Sequence, residues 1–90
     1  MDLKEIRKKL DSLDQQLVEI ISERISLIPE IANYKKERKL PRRDEKREQE
    51  IKEKLKDLAQ KNKVDFTLIE KIISLLIEES HKIEKEILKY

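Results

Sequence analysis

Six charged residues and one serine stand on or beside the apolar stripes of this chain: Arg7, Arg24, Lys35, Arg47, Glu48, Glu84 and Ser80. Burying a charged group without a partner costs several kcal/mol. A self-satisfied buried network would balance its signs, yet Arg7, Arg24, Lys35 and Arg47 face only Glu48 and Glu84. A surplus of inward-facing cations fits a pocket for an anion with more than one carboxylate or phosphate. Arg suits carboxylates because its planar guanidinium binds them in a bidentate fashion.

Spacing limits which of these groups can meet. Arg24 and Lys35 are eleven residues apart, about 16 Å along a helix, and long side chains pointing from one side can converge across that gap. Arg7 and Arg24 are seventeen apart, about 25 Å, so one small ligand cannot reach both on a single helix. An antiparallel second copy could bring its own Arg7 alongside. Taken singly, several of these residues have plainer readings. Arg7 suits a helix surface, Lys35 a solvated helix end, and Ser80 a bond to its own helix. Arg24 could pair with Glu48 as a structural bridge. His81 follows Ser80 by one position, about 100° around a helix, so the two form no dyad, and the ring is expected to be exposed.

The composition excludes other chemistry. The 90 residues contain no Gly, Cys or Trp and one His. That leaves no phosphate-cradling loop or dinucleotide fingerprint, no disulfide or thiolate, and too few His for the usual metal sites. No metal or cofactor is expected. Charged residues make up 47% of the chain, but 22 Lys and Arg nearly cancel 20 Asp and Glu, leaving +2. With the apolar residues periodic, this fits a folded chain rather than a disordered one. Abundant Ile, Lys and Glu is a composition found in heat-adapted proteins. The N-terminus lacks an apolar run of signal-peptide length and no segment approaches a membrane span. A cytoplasmic protein is the expectation.

The elements that must position these groups are helices. From Leu3 to Glu37 the apolar residues follow a heptad rhythm. One column holds Leu3, Leu10, Leu17 and Ile31, with Arg24 as the intruder; the next holds Ile6, Leu13, Ile20 and Leu27. Pro29 removes one backbone hydrogen bond and should kink this helix. The stretch KERKLPRRDEK (36–46) is a hydrophilic break, with Asp44 at or near the next N-cap. A second helix is expected from about Glu45 to Gln60 on Ile51, Leu55 and Leu58. Asp65 should cap a third, from about Phe66 to Leu88, on Ile69, Ile72, Ile73, Leu76, Ile83 and Ile87. The expectation is an all-α, single-domain chain (1–90) of three helices: long, short and medium.

A helix from Leu3 to Glu37 would be about 50 Å long, against a radius of gyration of about 12 Å for a compact chain of this size. Its apolar stripe therefore overhangs what the other helices can cover. An identical chain is the simplest cover, so a homodimer with antiparallel or crossing long helices is expected.

With these residues laid out, the chain resembles the all-α class of chorismate mutases over nearly its whole length. The segments that carry the resemblance are IRKKLDSLDQQLVEIISER (Arg7, Asp14, Arg24), EIANYKKE (Lys35), PRRDEKRE (Asp44, Arg47, Glu48) and LLIEESHKIEKEIL (Ser80). Each is weak alone; in this order and at these separations they are specific. The resemblance implies an intertwined dimer of three-helix chains with two equivalent sites. It implies conversion of chorismate to prephenate, a Claisen rearrangement that needs no cofactor, by positioning and electrostatics. It further implies that Arg24 and Arg7 of the partner subunit hold the two carboxylates. Lys35 would donate to the ether oxygen, and Glu48, helped by backbone near Asp44, would accept from the ring hydroxyl. Arg47 would support that end of the pocket, and Ser80 would contact a carboxylate.

Glu84 departs from a common form of the pattern, in which Gln is the second donor to the ether oxygen. An ionised Glu only accepts, whereas a protonated one donates. Activity should therefore rise as pH falls below neutral. Two alternatives stand beside this reading. One is a related helical lyase that removes pyruvate from isochorismate. The other is a non-enzymatic basic dimer binding nucleic acid through KKERKLPRR, a run otherwise read as a solvated loop. Against the second, acids are interspersed, net charge is small, and no aromatics interleave the run.

Overall fold

A computed structural model of residues 1–90 contains only helices: α1 (Leu3–Ser26), α2 (Ile28–Glu37), α3 (Glu45–Lys61) and α4 (Phe66–Leu88). The long first helix foreseen from Leu3 to Glu37 is thus two segments rather than one kinked rod. Leu27 stands between them in a turn with near-helical dihedrals, and its N–H bonds back to the Arg24 carbonyl at 3.3 Å. Pro29, in the first turn of α2, has no N–H to continue the ladder, and at that position none is needed. The other boundaries fall within a residue of expectation.

The caps follow the sequence. Asp2, Asp44 and Asp65 accept backbone N–H groups from Glu5, Arg47 and Thr67 at 2.8, 3.0 and 2.9 Å. At their C-termini, α2 and α3 close in Schellman turns. Leu40 N–H reaches the Lys35 carbonyl and Val64 N–H the Ala59 carbonyl, each at 2.9 Å. The left-handed position that usually falls to Gly is taken by Lys39 (φ 55°) and Lys63 (φ 56°), since the chain has no Gly.

Helix α4 packs against both α2 and α3. Ile28, Ala32, Ala59 and Leu88 are the buried apolar residues, and small Ala at two of these places lets the helices approach closely. The linker between α2 and α3 is held from both sides. Lys35 Nζ donates to the Arg42 carbonyl, and Tyr90 Oη donates to that of Leu40 at 2.8 Å.

Helix α1 buries nothing. Leu3, Ile6, Leu10, Leu13, Leu17 and Ile20, the stripe read from the heptads, all lie exposed. The chain measures 55 × 24 × 15 Å with a radius of gyration of 16.4 Å, well above the ~12 Å of a compact chain this long. No helix is long and apolar enough to cross a membrane.

Candidate active site

Where α1 meets α2, the linker, α3 and α4 enclose a groove of about 310 Å³. Its walls are apolar at Leu27, Ile28, Ile31, Ile51 and Ile77, and its polar lining is Arg24, Lys35, Arg42, Asp44, Arg47, Glu48, Ser80, His81 and Glu84. Seven of the eight residues singled out in the sequence therefore meet here, although they come from four helices and a linker. Arg7 does not: it lies exposed on α1 far from the groove.

Glu84 is the most buried of the charged groups. Its Oε1 lies 2.7 Å from Lys35 Nζ, with the two side chains 5% and 15% exposed. Ser80, also buried, donates to the Leu76 carbonyl of its own helix at 2.8 Å and accepts from Arg24 Nη1 at 3.4 Å. Both the local bond and the outward contact considered for Ser80 are thus made. Arg24 has no carboxylate within ion-pair distance, so the bridge to Glu48 does not form. Arg42 has no such partner either. Arg47 lines the groove but turns its exposed guanidinium to Glu50 at 3.7 Å. Asp44 spends its side chain capping α3.

Two residues of the groove were not recognised from the sequence. His81, expected to be exposed, is half-buried with its ring only 14% exposed. Its Nε2 lies 2.8 Å from Glu48 Oε1 and its Nδ1 3.5 Å from Glu84 Oε2. The signal was present: Ile77, His81, Glu84 and Leu88 recur at helical spacing on one edge of the α4 stripe. Arg42, read as part of a solvated basic loop, is half-buried because the linker folds over the groove. Four cations (Arg24, Lys35, Arg42, Arg47) thus line the groove against three carboxylates (Asp44, Glu48, Glu84).

The family model for chorismate mutase type II matches residues 6–85. The chain belongs to this family. It is 34% identical over 87 residues to a chorismate mutase of Methanocaldococcus jannaschii, an alignment covering 97% of this chain and 88% of the relative. It is 33% identical over 87 residues to a bifunctional chorismate mutase/prephenate dehydratase of Buchnera aphidicola subsp. Schizaphis graminum, and 32% identical over 83 residues to its counterpart from subsp. Acyrthosiphon pisum. These alignments cover 97% and 92% of this chain but only 23% and 22% of the bifunctional proteins. All the groove residues fall inside the segment that matches the chorismate mutase model.

Proposed function

We propose that the groove binds chorismate and rearranges it to prephenate, with Arg24, Lys35, Asp44, Arg47, Glu48, Ser80 and Glu84 as its working residues and Arg7 of the partner subunit completing it. The observation that carries this assignment is the guanidinium of Arg24, half-buried against Ser80 with no carboxylate to neutralise it. Such a cation in an apolar-walled groove is prepared for an anionic ligand, and chorismate is a dianion. The reaction breaks a C–O bond and makes a C–C bond in one cycle of electrons. The chain must therefore hold the substrate folded and stabilise the charge that grows on the ether oxygen.

Lys35 is the donor to that oxygen, and Glu84 becomes a second donor when it carries a proton. Glu48 takes the ring hydroxyl, in the region where Asp44 starts α3 and Arg47 flanks it. Arg24 holds one carboxylate, with Ser80 beside it. The other carboxylate is assigned to Arg7 of the partner subunit. Two features support a homodimer that supplies Arg7: the bare α1 stripe, which a second α1 would cover, and the distance of Arg7 from the groove of its own chain. In this reading residues 1–90 form a single cytoplasmic domain. Lys35 pointing into the groove and Arg42 folded over it withdraw two of the six cations of KKERKLPRR from the surface that the nucleic-acid reading would use.

Purified protein should consume chorismate, read as loss of its absorbance with prephenate as product. Arg24→Ala should lower kcat/KM by about 10- to 100-fold, the loss of a charge-assisted carboxylate contact. No turnover by the unsubstituted chain would overturn the function, and unchanged turnover by Arg24→Ala would overturn the pocket.

A further inference from the structure

The reaction as described uses Glu48 and Glu84 but gives no task to the group between them. His81 is the one histidine of the chain. Its Nε2 sits 2.8 Å from Glu48 Oε1. Its Nδ1 is buried and makes no hydrogen bond, and the carboxylate oxygen beside it is Glu84 Oε2 at 3.5 Å. The other oxygen of Glu84 is held by Lys35 at 2.7 Å.

An ionised carboxylate only accepts hydrogen bonds, so the short contact to Glu48 places a proton on Nε2. Two arrangements then satisfy Nδ1. Either it carries a second proton and points it at Glu84, or it is bare and Glu84 carries the proton. With neither, two lone pairs face each other in a buried site. Both favourable arrangements leave one proton in the gap between Nδ1 and Oε2.

We propose that His81 is a positioning residue of the rearrangement: oriented by Glu48, it shares one proton with Glu84 and so keeps Glu84 able to donate toward the ether oxygen. This rests on the role given to Glu84 above. Imidazolium with carboxylate becomes imidazole with carboxylic acid, so no proton is gained or lost, and the rearrangement itself consumes none. Lys35 holds Oε1 of Glu84 at 2.7 Å, a contact that favours its carboxylate form. Substrate draws Lys35 to its ether oxygen, and the proton is then free to move onto Glu84. The other charged groups facing the ring across this groove are Arg24 from α1, Arg42 and Asp44 from the linker, and Arg47 from α3. Of the carboxylates, only Glu48 and Glu84 lie within 4.0 Å of its nitrogens.

The test compares kcat and KM across pH for the full chain, His81→Gln, Glu84→Gln and the double variant. Gln keeps an N–H for Glu48 but has nothing to titrate. His81→Gln should lower kcat about tenfold near neutral pH, as expected for one lost charge-assisted hydrogen bond, with little change in KM. The fall of activity with rising pH should begin at lower pH. Once Glu84 is Gln, substituting His81 should cost less than about twofold, because the two groups act as a unit. A pH profile of His81→Gln that matches the unsubstituted chain, or an equal loss in both backgrounds, would overturn the proposal. If Glu84→Gln itself leaves the profile unchanged, the role of Glu84 falls instead. A second readout needs no variant. Long-range ¹H–¹⁵N spectra, with a single histidine to assign, should show Nε2 protonated whether the ring is neutral or charged; a ring protonated on Nδ1 alone would also overturn it.

Discussion

Lys35 Nζ and Glu84 Oε1 lie 2.7 Å apart across the groove although 49 positions separate them in the chain. The pair joins α2 to α4 and is largely shielded from water. In the proposed reaction both groups donate to the ether oxygen, so substrate would exchange this contact for its own.

Lys35→Ala should therefore damage both function and fold. The ether oxygen loses its cationic donor, which should lower kcat by about 10²–10³-fold. Glu84 is left as a buried carboxylate without its nearest cation, at a cost of about 3 kcal/mol. Steady-state kinetics and thermal unfolding of the same preparation check the two effects. Full activity with a lower melting temperature would make Lys35 structural only.

Glu84→Gln separates the pair differently. A carboxyl donates only when protonated, and protonation is favoured as pH falls. Turnover by the unsubstituted chain should accordingly rise as pH falls below neutral, while an amide donates throughout. The Gln variant should have a flat profile and exceed the unsubstituted chain on the alkaline side. A rate constant that is already flat with Glu in place would count against the donor role.

Much of this was legible because helices encode their faces in periodicity. The heptads marked the α1 stripe, Asp44 and Asp65 marked two starts, and Ser80 and Glu84 showed as polar intruders in an apolar stripe. What escaped depended on groups far apart in the chain. Arg42 enters the groove only because Lys35 and Tyr90 draw the linker down over it. His81 is covered only because Glu48, 33 positions away, reaches its ring. The interruption at Leu27 lies where Pro29 predicts a bend, and its extent is not set by the sequence because Pro is tolerated both inside a bent helix and at the start of a new one.

The left-handed lysines make a prediction about stability alone. Lys39 and Lys63 adopt φ near +55°, where a side chain crowds its own backbone. Lys39→Gly and Lys63→Gly should each stabilise the chain by about 0.5–1 kcal/mol, the relief of strain being partly offset by the greater freedom of unfolded Gly. Thermal melts at fixed protein concentration would register this as a rise of a few degrees each. Lys63, remote from the groove, should leave kinetics untouched. A fall in melting temperature for both would show that the side chains contribute more than their backbone strain costs.

Sharing of Arg7 between copies has a test that neither structure nor kinetics of one variant can imitate. Arg7→Ala and Arg24→Ala should each retain about a tenth to a hundredth of the activity as homodimers, since every site of the proposed dimer would lack one carboxylate clamp. Unfolded together and refolded as a mixture, they should form mixed dimers. In a mixed dimer one site receives its own Arg24 and an intact Arg7 from across the interface, while the other carries both lesions. Random pairing makes half of the dimers mixed, so about a quarter of the unsubstituted activity should return. A site built within one chain predicts no recovery at all. Adding Leu10→Lys and Leu17→Lys to both chains should abolish the recovery, because it places charges on the exposed α1 stripe that the second copy is proposed to cover. Sedimentation of the same samples should then show dissociation in parallel with the lost activity.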